Sequence, residues 1–243
     1  SEPLEKGVQD TTLRPTDPEV MYHVFSAEVM GSEGDFSGAA TEYLKAALVS
    51  GDPEIAERAV RVAVSAGEWQ MVVLASDRWA MLDPSSLDAR ELAAGSRLRE
   101  GDYVGAQFQL ARILEMTATD QTYGWGVVTA LLAPAHDQGR ANKVLVNLLN
   151  DFDSGSNVGA LFARSQLAAR TGDLEKAAEF GEKAIALEPR NPKLLAWSGR
   201  VAVHNQNQPL ALKRYRQAWE ASPKDPQVAM AYAELLKRND EVA

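Results

Sequence analysis

Few residues in this chain have the type and spacing for covalent or metal chemistry. Its three histidines, His23, His136 and His204, fall in three distant stretches, whereas a zinc site needs about three or four ligands that converge. There is no cysteine, which removes disulfides, thiolate metal sites and a thiol nucleophile. Asp151 and Asp153 are a close carboxylate pair. General acid–base chemistry needs such a pair in a cleft that separates its pKa values. Asp151-Phe152-Asp153-Ser154-Gly155-Ser156-Asn157 instead reads as an exposed polar loop. Neither a phosphate-cradling G-x-x-x-x-G-K-[ST] loop nor a G-x-S-x-G elbow is present. No serine has a plausible histidine partner near it in sequence. The expectation is a protein without catalysis, cofactor or metal. What recurs is cationic: Arg61, Arg99, Arg170 and Arg200, the last accompanied by His204. Guanidinium forks suit carboxylates.

The elements that carry these cations come in repeats. Pro189 and Pro223 are separated by the same interval as Ala177 and Ala211, and as Ala184 and Ala218. Helix-breaking pairs recur at Gly34-Asp35, Gly67-Glu68, Gly101-Asp102, Gly139-Arg140 and Gly172-Asp173. At Gln206-Asn207 the asparagine takes the turn role. Each repeat reads as two antiparallel helices: glycine ends the first in a left-handed turn, and the acid that follows caps the second. Small residues such as Ala46, Ala184 and Ala218 let helices approach closely, and Pro53, Pro84, Pro189, Pro192, Pro223 and Pro226 mark unit boundaries. The units predicted are 20–51, 53–84, 87–118, 121–155, 158–191 and 192–225, then a final helix at 226–238. The fourth departs most, with Gly124, Gly126 and Pro134 in its helix and turn. Its extra residues are expected between units three and four, with a local kink there. Residues 1–17 read as a flexible leader, and 18–243 as a single solenoid domain.

In a stacked array the first helices line the concave surface. Arg61, Arg99, Arg170, Arg200 and His204 map onto it, beside Glu28, Glu57 and Glu91. One reading is a groove gripping an acidic segment or a C-terminal carboxylate. The other is a solvated face with salt bridges along each helix. Trp69, Trp79, Trp197 and Trp219 read as packing between helices, with Trp125 set apart by its irregular unit. Net charge is -9 and pI about 5.0, which disfavours nucleic acid. No apolar stretch is long enough for a membrane span, and Ser1-Glu2-Pro3-Leu4-Glu5-Lys6 is not a signal peptide.

The unit resembles the tetratricopeptide repeat. Ala177, Ala184 and Pro189, and then Ala211, Ala218 and Pro223, fit its small-small-proline positions, and Gly199 fits the small residue inside the first helix. The resemblance spans roughly residues 20–240. It implies an all-α, right-handed superhelical solenoid of about six repeats plus a terminal helix, binding protein or peptide partners. The lysine–asparagine set of the chaperone-binding kind is not found at the matching positions.

The early segments are more particular. His23-Val24-Phe25 followed by the Gly34-Asp35-Phe36 turn, and Asp52-Pro53-Glu54-Ile55-Ala56-Glu57-Arg58-Ala59, resemble the first units of Gram-negative outer-membrane tetratricopeptide lipoproteins. That resemblance implies a periplasmic, lipid-anchored adaptor binding a carboxyl-terminal processing protease and its cell-wall hydrolase substrates. The lipid-bearing cysteine of that family is absent from these residues, and its chains are longer. The alternatives are a cytosolic assembly or co-chaperone scaffold and the accessory arm of a larger enzyme.

Overall fold

A computed structural model describes residues 14–153 and 155–240. Those residues form thirteen α-helices: α1 Pro18–Ser32, α2 Phe36–Val49, α3 Pro53–Ala66, α4 Trp69–Leu82, α5 Leu87–Glu100, α6 Tyr103–Met116, α7 Gln121–Leu132, α8 Gln138–Phe152, α9 Val158–Arg170, α10 Leu174–Leu187, α11 Pro192–His204, α12 Gln208–Ala221 and α13 Pro226–Asp240. The fold is an all-α solenoid of six helical hairpins and a terminal helix. Packing divides it into two compact units at Met116/Thr117, α1–α6 and α7–α13. Among the described residues no helix is long and apolar enough to cross a membrane.

The hairpins follow from local chemistry. Gly34, Gly67, Gly101 and Gly172 adopt positive φ between 76° and 86°, which lets the chain reverse without a Cβ clash. The residue after each glycine donates its N–H back across the turn, as Asp35 to Met30 O at 2.9 Å and Asp102 to Arg97 O at 2.8 Å. That bond occupies a carbonyl the helix end leaves unpaired. The same aspartates then cap the second helices: Asp35 accepts from the Gly38 N–H at 2.8 Å, Asp102 from Gly105 at 2.9 Å and Asp173 from Lys176 at 3.1 Å. Pro18, Pro53, Pro192 and Pro226 begin first helices, where the missing N–H costs nothing.

Alanine sets the helix spacing within each unit. In α1–α6, Ala39, Ala40 and Ala47 of α2 meet Ala56, Ala59 and Ala63 of α3 around the buried Tyr43 and Val72. In α7–α13, Ala184 of α10 and Ala218 of α12 are fully buried among Leu161, Leu194, Leu195 and Val228. Trp125 is buried on α7 and packs where Gly159 of α9 has no side chain. An added Cβ at Gly159 would lie 2.9 Å from the Trp125 Cβ and 3.0 Å from the Gln121 carbonyl. The irregular fourth unit thus uses its tryptophan as core.

Several expectations from sequence are corrected. The turn of unit four is not at Gly139-Arg140, because both residues lie in the first turn of α8. It is the longer Ala133–Asp137 link around Pro134, and Asp137 caps α8 by accepting from the Arg140 N–H at 3.0 Å. The extra residues therefore lie inside the hairpin. At the last turn Gln206, not Asn207, takes the left-handed conformation (φ 56°). Asn207 caps α12, accepting from the Leu210 N–H at 3.2 Å. The loop placed at Asp151–Asn157 starts later, since α8 continues through Phe152. Nor is Asp153 solvated: its side chain is 2% exposed and its Oδ2 accepts from Arg164 Nε at 2.6 Å. The terminal helix runs two residues past the predicted end, to Asp240. Of the expected leader, residues 1–13 lie outside the described residues, and Arg14–Asp17 form a turn in which the Asp17 N–H donates to Arg14 O at 2.9 Å.

Candidate functional site

Arg61 on α3, Arg99 on α5, Arg170 on α9, and Arg200 and His204 on α11 all lie on first helices of their hairpins and are exposed. The structure places Arg61 and Arg99 in the first compact unit and the other three in the second. It gives them different surroundings.

In α1–α6, two recesses of about 490 and 520 Å³ open between α1, α2 and α3, and both are lined by Glu28, Tyr43, Arg58 and Arg61. Their cations are already engaged. Arg58 pairs with Glu28 across α1 and α3, and its guanidinium lies 5.4 Å from the Tyr43 ring centroid. Arg61 Nη1 pairs with Glu57 one turn back at 2.8 Å. The Tyr43 hydroxyl donates to the same Glu28. Burial, reinforced by that carboxylate, pushes the Tyr43 phenol up to about 12. What these recesses leave open is apolar: Met21 and Phe25 of α1 and Phe36 of α2 are 56%, 70% and 57% exposed. Behind them His23 Nδ1 lies 2.6 Å from Glu42 Oε2, and Lys45 donates to Glu42 Oε1 at 2.6 Å. The hydrogen bonds from Lys45 and then His23 hold the Glu42 carboxyl below the usual carboxylate range. Farther along, Arg99 stacks 4.1 Å from the Trp69 ring centroid.

In α7–α13, a recess of about 290 Å³ lies between α9, α11 and α13, and one of about 130 Å³ between α7, α9 and α11. Phe162 and Lys193 line both, joining them into one track. The track is built rigidly. Ser165 Oγ on α9 donates to the Ala177 carbonyl on α10 at 2.5 Å, and accepts from the Trp197 indole N–H at 2.8 Å. Trp197 in turn meets Phe162 edge-on, with centroids 5.8 Å apart and planes at 81°. Tyr215 forms part of the wall against Gly199, where an added Cβ would lie 2.9 Å from the phenol ring. The Arg200 guanidinium sits 5.5 Å from the Trp197 ring centroid. Arg200 lines this track, and Arg170 and His204 do not. Sequence reasoning missed Lys193, Phe162, Trp197 and Tyr215 as lining residues. The usable signal was the spacing: Lys193 and Arg200 are seven residues apart, two helical turns and nearly one face, with Trp197 between them.

Paired helices repeated along the chain, with open recesses between successive first helices, are what a peptide-binding helical repeat requires. Residues 168–235 match the profile described as tetratricopeptide repeat. That match takes in α10–α12 and most of α13, and shows the repeat in that part of the chain. Among curated proteins the chain is similar to the TPR repeat-containing protein PA4667 of Pseudomonas aeruginosa. The identity is 25% over 236 residues, which is 95% of this chain and 39% of that protein. The chain thus spans well under half the length of that relative. Among solved structures it is similar to TTC0263, a thermophilic TPR protein of Thermus thermophilus. That match has TM-score 0.39 and 19% identity, covering 89% of this chain and 98% of that one. It is also similar to PilW, a type IV pilus biogenesis factor, with TM-score 0.46 and 12% identity, covering 88% and 98%.

Proposed function

We propose that this protein is a non-catalytic interaction scaffold, a periplasmic adaptor that binds a carboxyl-terminal processing protease and holds cell-wall hydrolases for it. Tetratricopeptide repeat proteins bind protein or peptide partners, and the observation that carries the reading is the character of the first-helix surface. Its recesses present the exposed Phe25 and the cations Arg58 and Arg61 in one compact unit, and the half-buried Phe162 and Trp197 with Lys193 and Arg200 in the other. The protease and the compartment rest on the resemblance of the early units, around His23-Val24-Phe25 and Asp52–Ala59, to outer-membrane lipoproteins of Gram-negative bacteria. Anchoring to the outer membrane would come through a lipidated cysteine outside these residues.

The test is capture by the purified chain from Gram-negative periplasmic extract, with bound proteins identified by mass spectrometry and then titrated individually. Recovery of a carboxyl-terminal processing protease with a dissociation constant in the micromolar range or tighter is the expected result. Recovery of cytosolic chaperones or assembly factors from whole lysate, with no protease from the periplasm, would overturn the adaptor reading.

A further inference from the structure

We infer that the α7–α13 track is a docking site for an extended acidic peptide, one whose two carboxylates bracket an apolar side chain. This rests on the reading of the protein as an interaction scaffold and names the chemistry of what one surface takes. Lys193 and Arg200 have no carboxylate partner among the described residues. The acids that could have neutralised them are committed elsewhere. Glu182 takes Arg214 and the Ser198 hydroxyl, and Glu188 accepts from the Asn191 amide at 2.7 Å. Asp225, the carboxylate in the lining, caps α13 by accepting from the Gln227 and Val228 N–H groups at 2.9 and 3.3 Å. In a chain of net charge -9, a lining with two cations against the one carboxylate of Asp225 is a local reversal of sign, and a partner of opposite charge is attracted there.

The geometry specifies the spacing. Seven residues of helix rise about 10 Å, which an extended peptide covers in about three residues. In the polyproline II form of an extended chain, which has three residues per turn, side chains at i and i+3 share a face, so carboxylates there can meet Lys193 and Arg200 together. The side chains between them face Phe162, Trp197 and Tyr215, which offer a fixed aromatic pocket. The Gln166 and Gln227 side-chain amides in the lining have no partner among the described residues, and a side-chain amide can pair with both N–H and C=O of a peptide backbone. The occupant is thus an internal acidic stretch. A single C-terminal carboxylate would satisfy one cation and leave the other unpaired.

The experiment is fluorescence anisotropy on the full chain with three labelled octapeptides, each capped at the N-terminus. The first is Gly-Ser-Glu-Leu-Phe-Glu-Ser-Gly with an amidated C-terminus. The second replaces both glutamates by glutamine. The third keeps the glutamines and has a free C-terminal carboxylate. The acidic amidated peptide should bind, roughly tenfold or more tighter than the glutamine peptide, and weaken as salt rises. Lys193→Gln and Arg200→Gln, both at exposed positions, should each weaken it about tenfold. Arg61→Gln should leave it unchanged. Equal binding of the first two peptides, or of wild type and Arg200→Gln, would overturn the inference. Preference for the free-carboxylate peptide would replace it with a terminal-carboxylate site. Capture of the protease without acidic-peptide binding would sink this inference and leave the adaptor reading standing, and the reverse pattern would do the opposite.

Discussion

The two compact units use the same hairpin but finish their exposed surfaces differently. In α1–α6 the cations that line the recesses, Arg58 and Arg61, are answered by Glu28 and Glu57, Arg99 stacks on Trp69 outside them, and the residual character of the recesses is the apolar edge of Met21, Phe25 and Phe36. In α7–α13 the aromatic pocket is held from within by Ser165 and Trp197, while Lys193 and Arg200 stay unpaired. A repeat scaffold fixes where a side chain projects. Whether its charge is available to a partner depends on one carboxylate a turn or a repeat away. Contacts on the first surface should be dominated by apolar burial and respond weakly to salt. Contacts on the second should be strongly screened.

The largest effect expected is from Ala184→Trp. Ala184 is fully buried where α10 meets its neighbours, so an indole overpacks the contact by about 3 kcal/mol. Hydrogen exchange should localise the loss to α9–α13, and an unchanged melting curve would count against the assigned helix register. Gly159→Ala comes next, at about 2 kcal/mol, because the added methyl meets the Gln121 carbonyl and Thr122 Cα, backbone atoms that cannot swing aside. Denaturant unfolding gives the number, and a loss below about 0.5 kcal/mol, as for an ordinary surface change, would refute the close approach.

Acidification should separate the units in the other direction. The Glu42 pKa is lowered in the folded protein, so its contribution is complete above the unfolded value near 4.5 and is lost as pH falls through the lowered one. The exchange-measured stability of α1–α2 should drop below about pH 4.5, and Glu42→Gln should flatten that part of the profile. The smallest effect on stability is expected from Glu28→Gln combined with Glu57→Gln, about 1 kcal/mol or less because both pairs are substantially exposed. That variant sharpens the comparison most. It frees Arg58 and Arg61, and anisotropy with the acidic peptide should then detect a second, salt-sensitive site in α1–α6. No new site would mean that unpaired charge alone does not distinguish the units.

Much of this was legible in the sequence. Glycine followed by aspartate located the hairpin turns because both act within a few residues, one on φ and the other on an adjacent N–H. The same rule failed at Gly139, where the cap is Asp137 and proline lengthens the turn, so the glycine carries no conformational duty. It also misplaced the left-handed residue at Gln206-Asn207, where the asparagine was needed as a cap. Arg61, Arg99, Arg170, Arg200 and His204 were correctly placed on first helices, since helical period alone puts them there. Their roles were not legible. Arg200 differs from Arg61 only in what stands beside it, and Lys193 passed unnoticed as a residue of a first helical turn.

The amino-acid sequence by itself determined the period, the alanine contacts and the caps, because each is a local matter of backbone conformation and side-chain size. The tertiary structure alone decided which charges are spent and which are offered. Arg58 finds Glu28, and Arg214 finds Glu182, from roughly one repeat away in sequence. Asp153, which reads as solvated, is buried against Arg164. Charge pairing depends on distances of a few ångströms between side chains on different helices, and those distances exist only once the hairpins have packed.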